Sequence, residues 1–258
     1  MHSIAFRIGS SITIHWYGIF VAAGFIAAVM VLMYNRKYAG IEPDEIFNLT
    51  LYGMISGILG ARVFYVVEFW DQFRGNLTEI SRIDHGGLVF YGGFICATLT
   101  LLIYAKIRKM DILRLLDILA PALAVGHAFG RIGCFMNGCC FGKPSEIFCA
   151  IRFPEGSAPA LAFPGQSLHP VQLYEAACNI MLAVILAYLL KKLRPGQIAA
   201  VYFFSYGVLR FILECFRGDN RDFVMNVFSP AQFIGILVST SGIFLFFHLR
   251  KRPEAELK

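Results

Sequence analysis

The sequence predicts an all-α membrane protein with about seven transmembrane helices, and two observations carry that prediction. Of the 258 residues, 57% are hydrophobic and only 16% are charged, and the mean hydropathy is +0.63. A soluble domain is closer to half apolar and a quarter charged. The apolar residues also form long blocks, each able to cross about 30 Å of hydrocarbon as a helix of roughly 20 residues. Backbone groups find no water in lipid, so each block is expected to be helical.

The apolar blocks define seven spans and one long connection. The spans are predicted at about residues 14–34, 45–69, 88–105, 112–130, 171–190, 198–216 and 230–248. The connection, residues 131–170, is rich in glycine and proline, so it is predicted to form a small extracytoplasmic cap between spans 4 and 5. Residues 1–258 are thus expected to be a single polytopic membrane domain, with the cap as its insertion.

Four clusters of basic residues follow alternate spans and predict an orientation. Cytoplasmic loops are enriched in lysine and arginine, which places the N-terminus outside and the C-terminus in the cytoplasm. The net charge of +6 does not indicate a nucleic-acid partner, because the basic residues follow apolar blocks rather than lining one polar face. The clusters are Arg36 and Lys37; Lys106, Arg108 and Lys109; Lys191, Lys192 and Arg194; and Arg250, Lys251 and Arg252.

Several charged residues fall inside the predicted spans, where an unpaired charge costs several kcal/mol. Arg62 lies in the second span, and Arg210 and Glu214 share one face of the sixth because they are four residues apart. One interpretation is that Arg210 and Glu214 neutralise each other as a packing pair. The other is that Arg62, Arg210 and Arg131 line an outward-facing cavity, where guanidinium groups bind the phosphate of an anionic phospholipid.

Titratable side chains are predicted at the outer ends of two spans. The segment HGGLVFYGG opens the third span and places Tyr91 near His85 and Asp84. Its paired glycines allow backbone N–H groups to come close to a ligand. His169 begins the fifth span and is predicted to shape the same site.

The segment GHAFGRIGCFMNGCCFG, at the outer end of the fourth span, places Arg131 and Asn137 among glycines. Fixed arginine and asparagine donors suit the oxygens of phosphate and glycerol. The same segment contains Cys134, Cys139 and Cys140, for which a disulfide or zinc binding is considered. Their spacing matches no standard zinc motif, so no metal site is predicted and no soluble cofactor is expected.

Five motifs together make the chain resemble a known family. They are HWYG at 15–18, HGGLVFYGG at 85–93, GRIGCFMNGCCFG at 130–142, HPVQLYE at 169–175 and YGVLRFILECFR at 206–217. In this order and spacing they resemble the prolipoprotein diacylglyceryl transferases, over nearly the whole chain. That family has seven spans with the N-terminus outside. It transfers the diacylglyceryl group of phosphatidylglycerol to the lipobox cysteine of a prolipoprotein signal peptide and releases glycerol phosphate.

The resemblance also implies site residues by their positions in the motifs. Arg131, Asn137 and Gly142 match the arginine, asparagine and closing glycine of the family signature. Arg210 and Glu214 match the sixth-span pair, and a tyrosine of the first span is matched as well. The predicted catalytic residues are Arg131, Arg210 and Tyr91, and the predicted substrate-binding residues are Arg131, Asn137, Gly142, Tyr17, Glu214, Arg62 and His169.

Two positions depart from the family pattern. The best-known members have a histidine, proposed as the general base, where this chain has Tyr91, and an asparagine where it has Cys134. Tyrosine has an ordinary pKa of about 10, which makes it a poor base at neutral pH. Three explanations are open: Tyr91 positions the lipid, which we favour, the base lies elsewhere, or the thiol reacts without a protein base.

The sequence therefore predicts a transferase in the bacterial cytoplasmic (inner) membrane, with its active site toward the outer leaflet. Phosphatidylglycerol and prolipoprotein signal peptides are the predicted partners, and both are expected to enter sideways between spans. Two rival functions are a membrane thiol oxidoreductase that uses the three clustered cysteines, and a transporter of an anionic solute bound by Arg62 and Arg210.

Overall fold

The computed structural model describes residues 4–8, 12–82, 86–219 and 228–251. Seven long apolar helices make up most of these described residues. Each is long and apolar enough to cross a membrane, and large apolar side chains are exposed along them, so the prediction of an all-α multi-pass membrane protein is confirmed. His85 and Asp84 lie outside the described residues. The helices are α1 (Trp16–Ala39), α2 (Pro43–Glu68), α3 (Trp70–Phe73), α4 (Phe90–Ile107), α5 (Ile112–Asn137), α6 (Ala158–Ala162), α7 (Val171–Leu189), α8 (Gln197–Cys215) and α9 (Pro230–Lys251), of which α3 and α6 are short.

Two short antiparallel hairpins accompany the helices and were not predicted. Strand β1 (Ile4–Ile8) pairs with β2 (Ile12–His15) directly before α1. Strand β3 (Ile151–Arg152) pairs with β4 (Ser167–Leu168) within the connection between α5 and α7. Apolar and polar residues alternate in β2, which is typical of a strand. The apolar block of the first span follows it at once and hides this signal.

Contacts divide the chain into two compact units: a larger one, Met1–Tyr38 with Leu116–Lys258, and a smaller one, Ala39–Leu115. In the larger unit, α8 and α9 pack with their backbones almost touching. A Cβ atom added at Gly207 would lie 2.5 Å from the carbonyl oxygen of Gly235. No side chain fits in that space, so glycine is required for this approach between membrane helices.

In the smaller unit, α2 and α4 also pack through glycines. A Cβ atom added at Gly60 would lie 2.8 Å from the carbonyl oxygen of Gly92, and one added at Gly93 would lie 2.9 Å from that of Gly57. The two helices therefore meet backbone to backbone, as small residues allow in membrane bundles.

The fourth span is longer than predicted, because α5 continues to Asn137 instead of ending near residue 130. Arg131 is therefore helical rather than part of the cap. Gly133 does not break the helix but allows α1 to come close. A Cβ atom added there would lie 3.2 Å from the Cβ of Phe20 and 3.3 Å from the ring of Tyr17.

The connection after α5, residues 138–170, holds β3, β4 and α6 around an apolar cluster of its own. The pairing of β3 with β4 closes this segment, and the rings of its phenylalanines meet edge to face. Aromatic side chains provide much buried area in such a small insertion. The cluster consists of Phe141, Phe153 and Leu168, with Phe135 and Phe163 packed against it.

Helix α8 begins at a buried carboxylate. Asp117 of α5 is 0% exposed and accepts hydrogen bonds from the backbone N–H groups of Gly196 at 2.7 Å and Ala199 at 3.0 Å. The hydroxyl of Tyr38 donates to the same carboxylate at 3.2 Å. Asp117 therefore satisfies N–H groups at the start of α8, where the helix dipole also favours a negative charge.

Candidate active site

Three helices of the larger unit present polar side chains at helical spacing, on faces that meet inside an otherwise apolar bundle. Residues three or four positions apart lie on one side of a helix, so each helix contributes a polar stripe. We call these side chains the polar seam. It consists of His127 and Arg131 of α5; Gln172, Glu175 and Asn179 of α7; and Tyr202, Tyr206, Arg210 and Glu214 of α8.

Arg131 is held by an ion pair that the sequence did not predict. Its Nε atom lies 2.9 Å from Oε1 of Glu175, whose side chain is 5% exposed. The amide of Asn179 donates to the backbone carbonyl of Glu175 at 2.8 Å. A guanidinium has five N–H donors, so this single contact orients Arg131 and leaves further donors for a ligand.

Arg210 and Glu214 form the second ion pair of the seam. Nη2 of Arg210 lies 3.1 Å from Oε2 of Glu214, in contact but without hydrogen-bond alignment. The hydroxyl of Ser229 donates to Oε1 of Glu214 at 3.0 Å. Nη1 of Arg210 is buried and has no hydrogen-bond partner within the part of the chain that the structure describes. Such a donor costs about 1–3 kcal/mol, which is expected where a ligand provides the acceptor.

His127 connects the two arginines. Its Nδ1 atom lies 3.3 Å from the hydroxyl of Tyr202, and its ring stacks on Tyr206 with centroids 5.0 Å apart. Both Arg131 and Arg210 are near enough to interact electrostatically with His127. Both arginines therefore lie near His127, and their predicted binding of one anion stays a prediction. The spacing of four residues between His127 and Arg131 is the sequence signal for the position of this histidine.

Three thiols lie beside Arg131, at the end of α5. The helix ends in a Schellman cap: Gly138 has a φ of 72°, and the N–H of Cys139 donates to the carbonyl of Cys134 at 3.1 Å. This turn brings the Sγ atoms of Cys134, Cys139 and Cys140 within 4.8 Å of one another. Within the described residues, all seven cysteines are free.

The thiol cluster lies in a positive environment. Hydrogen bonds from Cys134 and Cys139 lower the pKa of the Cys140 thiol, and the charges of Arg217 and Arg131 act in the same direction against the effect of burial. The predicted residue Tyr17, in the first turn of α1, also interacts electrostatically with these thiols and with Arg131. The structure thus brings Tyr17 to the same site.

Arg217, just after α8, joins the site through the cluster. It forms a two-point ion pair with Asp219, with Nε–Oδ1 and Nη2–Oδ2 distances of 2.9 and 2.7 Å. Burial opposes its charge, but the bonds to Asp219 and to Cys140 raise the pKa of Arg217 above its ordinary value. The guanidinium therefore stays charged beside the thiols.

Gly142 and His169 build the frame of the site. The N–H of Gly142 donates to the carbonyl of His169 at 3.1 Å, and the N–H of Gly218 donates to the carbonyl of Phe141 at 3.0 Å. A Cβ atom added at Gly142 would lie 2.5 Å from the carbonyl oxygen of His169. The ring of His169 packs edge-on against Phe216. These contacts fix the segment that follows the clustered cysteines, Phe141 and Gly142, between the start of α7 and the end of α8.

Asn137, the last residue of α5, is exposed at the surface. It lines a pocket of about 490 Å³ with residues of the cap, among them Phe153 and Ser157. The amide of Asn137 also interacts with the Cys139 thiol. Its predicted role in substrate binding stays a prediction.

The expectation that Arg62 binds the lipid phosphate needs correction. Arg62 is buried in the smaller unit, and all five of its N–H donors are taken by backbone carbonyls at 2.6–3.1 Å. Its guanidinium also lies near the rings of Tyr65 and Phe73. No donor remains for a phosphate. Arg62 instead stabilises the connection between α3 and α4 by binding its backbone carbonyls. The carbonyls belong to Glu79, Ile80, Arg82, Gly86 and Gly87.

Tyr91 lies in the first turn of α4 in the smaller unit. Its side chain is 60% exposed, and its ring packs edge-on against Phe90. The exposed position suits contact with lipid, and a catalytic role for Tyr91 stays a prediction.

Comparison with known proteins identifies the family. The family model described as prolipoprotein diacylglyceryl transferase matches residues 3–248. The phosphatidylglycerol–prolipoprotein diacylglyceryl transferase of Clostridium tetani is 36% identical over 235 residues, which cover 90% of this chain and 92% of that protein. The proteins of the same name from Clostridium botulinum strain Langeland and Finegoldia magna are each 33% identical, over 98% of this chain and 99% and 97% of their own lengths. The chain therefore belongs to the prolipoprotein diacylglyceryl transferase family.

Proposed function

We propose that the chain transfers the diacylglyceryl group of phosphatidylglycerol to the thiol of the lipobox cysteine in a prolipoprotein and releases glycerol phosphate. The names of its relatives contain both substrates, and the seven membrane-spanning helices suit a lipid substrate. The observation that carries the proposal is the pair of partly buried arginines, Arg131 and Arg210, each in contact with a buried glutamate, in a chain of this family. The relatives support neither the thiol oxidoreductase nor the anion transporter.

Arg131 and Arg210, which both lie near His127, bind the lipid phosphate. Glu175 contacts Arg131 at Nε, and Glu214 contacts Arg210 at Nη2, so each carboxylate orients a guanidinium without using most of its donors. The buried Nη1 atom of Arg210 gains its missing acceptor when the phosphate binds. Planar guanidinium groups suit this two-point recognition of a phosphate.

The reaction then replaces a carbon–oxygen bond with a carbon–sulfur bond. The thiol sulfur of the substrate attacks the glycerol carbon that bears the phosphate ester oxygen, and the thiol proton is lost to solvent. The electron pair of the broken bond passes to the phosphate oxygen, and glycerol phosphate leaves. Arg131 and Arg210 stabilise the charge that develops on this leaving group. Tyr91 serves to position the lipid.

The reaction takes place in the bacterial cytoplasmic (inner) membrane, with the active site toward the outer leaflet and the N-terminus outside. In the larger unit, the site lies at the start of α1 and α7 and at the end of α5 and α8. Basic residues occupy the opposite ends of α1 and α9, at Arg36 and Arg250. Because basic ends face the cytoplasm, the site faces outward, and residues 138–170, which follow α5, form the extracytoplasmic cap of one polytopic domain.

A single assay tests the function. The purified protein is incubated with phosphatidylglycerol and a lipobox peptide, and mass spectrometry is used to detect a diacylglyceryl thioether. We expect that product with the cysteine peptide and none with a serine peptide. Absence of the thioether with the wild-type protein would overturn the function.

The same assay tests the two arginines. Arg131→Ala and Arg210→Ala are expected to abolish detectable transfer. Arg74→Ala, which removes an arginine from the exposed pair with Asp71, serves as the matched control and is expected to leave the rate unchanged. Full activity in both site variants would overturn the assigned phosphate site.

A further inference from the structure

The thiol cluster of Cys134, Cys139 and Cys140 has a geometry that its sequence spacing did not suggest. Their Sγ atoms all lie within 4.8 Å of one another. A tetrahedral zinc ion with Zn–S bonds of about 2.3 Å places its sulfur ligands about 3.8 Å apart. Small movements of side chains therefore suffice for all three sulfur atoms to bind one ion.

The backbone is bent in a way that serves this convergence. Two adjacent residues normally point apart, but Cys140 adopts a left-handed φ of 63°, which is uncommon for a residue other than glycine. Gly138 is also left-handed, and the Schellman cap returns the chain toward Cys134. Strain of this kind is retained where the surrounding structure fixes it for function.

Groups around the cluster hold it and balance its charge. The amide of Gln172 donates to the carbonyl of Cys139 at 2.8 Å, which fixes the loop through a buried side chain of α7. Arg217 and Arg131 both interact with Cys140. Three thiolates on a divalent cation carry one net negative charge, which nearby guanidinium groups stabilise. Outer contacts of this kind orient the ligands of metal sites.

We propose that Cys134, Cys139 and Cys140 bind a Zn²⁺ ion whose fourth position is open to the thiol of the incoming substrate. Structural zinc sites use four protein ligands, whereas sites with three leave one position for water or substrate. The identity of the fourth ligand rests on the proposed function, in which a cysteine thiol is the nucleophile. The cluster lies beside Arg131, so the ion would hold the thiol next to the lipid phosphate.

This ion answers the question raised by Tyr91, since it removes the need for a strong protein base. The substrate thiol binds zinc as a thiolate, and its proton is released to solvent. The zinc-bound sulfur attacks the glycerol carbon, the carbon–oxygen bond breaks, and glycerol phosphate leaves with the electron pair. The thioether product is a weaker ligand than the thiolate, so it leaves the ion. No oxidation or reduction takes place.

Metal content tests the site without reference to activity. Protein purified under reducing conditions and loaded with Zn²⁺ is expected to retain one ion per chain after desalting. The triple variant Cys134→Ser, Cys139→Ser, Cys140→Ser is expected to retain none, with its folding checked by thermal unfolding. The matched control replaces three of the four cysteines outside the cluster, Cys96, Cys178 and Cys215, with serine and is expected to retain the ion.

Cobalt substitution tests the open position in the wild-type protein, so it does not depend on the folding of a variant. Co²⁺ loading is expected to produce a thiolate-to-cobalt charge-transfer band, and addition of a lipobox peptide should increase its intensity by about one third as a fourth thiolate binds. A serine peptide should not change the band. Lack of any thiolate band, or a disulfide within the cluster in protein from untreated membranes, would overturn the site. A band that is unchanged by the cysteine peptide would overturn the fourth ligand.

Activity separates this proposal from the proposed function. Removal of the ion is expected to lower thioether formation by at least about tenfold, with recovery on addition of Zn²⁺. Full transfer by metal-free protein would refute the zinc proposal and leave the function intact. Metal binding without any thioether would refute the function and leave the site intact.

Discussion

Neutralising Glu175 tests whether Arg131 must be held by an ion pair in order to bind the lipid phosphate. Glu175→Gln keeps the length of the side chain and an acceptor oxygen beside Nε of Arg131, but removes the charge. The Glu175 side chain is 5% exposed and that of Arg131 is 21% exposed. Water therefore cannot fully replace the lost carboxylate, and the effect on the orientation of Arg131 should be large.

The size of the effect follows from the burial of this pair. Loss of one partner from a buried ion pair costs about 3–5 kcal/mol. A neutral acceptor restores about half of a charge-assisted hydrogen bond, so we expect glutamine to cost about 2 kcal/mol. At about 1.4 kcal/mol for each factor of ten, transfer should slow about 30-fold. Glu175→Ala restores nothing, so the full cost of about 3–5 kcal/mol should slow transfer by about 10² to about 4 × 10³-fold.

The measurement is the initial rate of thioether formation, with the thermal midpoint of unfolding recorded for each variant. Glu146→Gln makes the same chemical change at an exposed carboxylate and should leave both quantities unchanged. If Glu175→Gln retained half of the wild-type rate or more, the role of Glu175 in positioning Arg131 would be refuted.

Three further predictions concern residues that stabilise the fold: Arg62, Asp117 and Gly142. Arg62→Gln removes hydrogen bonds to backbone carbonyls that are worth about 1.5–3 kcal/mol each, so the thermal midpoint of unfolding should fall by several degrees. Arg74→Gln, at an exposed ion pair, should not change the midpoint. Equal midpoints for the two variants would contradict the structural role of Arg62. Asp117→Asn should weaken the start of α8 by about 1–2 kcal/mol and leave the rate of thioether formation per folded protein unchanged. A slower rate at wild-type stability would contradict a purely structural role of Asp117. Gly142→Ala should lower both the stability and the rate of thioether formation, because the new Cβ atom would lie 2.5 Å from the carbonyl oxygen of His169. Gly130→Ala has open space around its Cβ atom and should stabilise α5 by about 0.5–1 kcal/mol. Similar behaviour of the two variants would show that Gly142 does not pack closely against His169.

The sequence was sufficient to predict the spans, because their signal is local. Apolar blocks of membrane length must form helices, so the seven spans follow from composition alone. The Arg210–Glu214 pair was equally accessible, since a spacing of four residues on one helix places the two charges together. The ion pair of the first interpretation is present. The second, an anion bound by Arg210, stays a prediction, which the buried Nη1 atom without a partner among the described residues supports.

Features that depend on distant segments could not be predicted in the same way. A buried arginine looks the same in sequence whether it faces a ligand or a set of carbonyls, and the carbonyls around Arg62 belong to a loop 17–25 residues away. The partner of Arg131 is Glu175, on another helix. The glycine- and proline-rich composition after residue 130 predicts a loop, but α5 continues to Asn137, because Gly133 allows close packing against α1.

The most direct test of the phosphate site is a double-mutant cycle on the two arginines that should hold one phosphate. Arg131→Lys and Arg210→Lys keep the positive charges, so that residual rates of thioether formation stay measurable in both single variants and in the double variant. If both guanidinium groups bind the same phosphate, the two effects on the activation free energy should differ from additivity by at least about 1 kcal/mol. Effects that add within about 0.3–0.5 kcal/mol would mean that the arginines act at separate places, which would contradict a shared phosphate site.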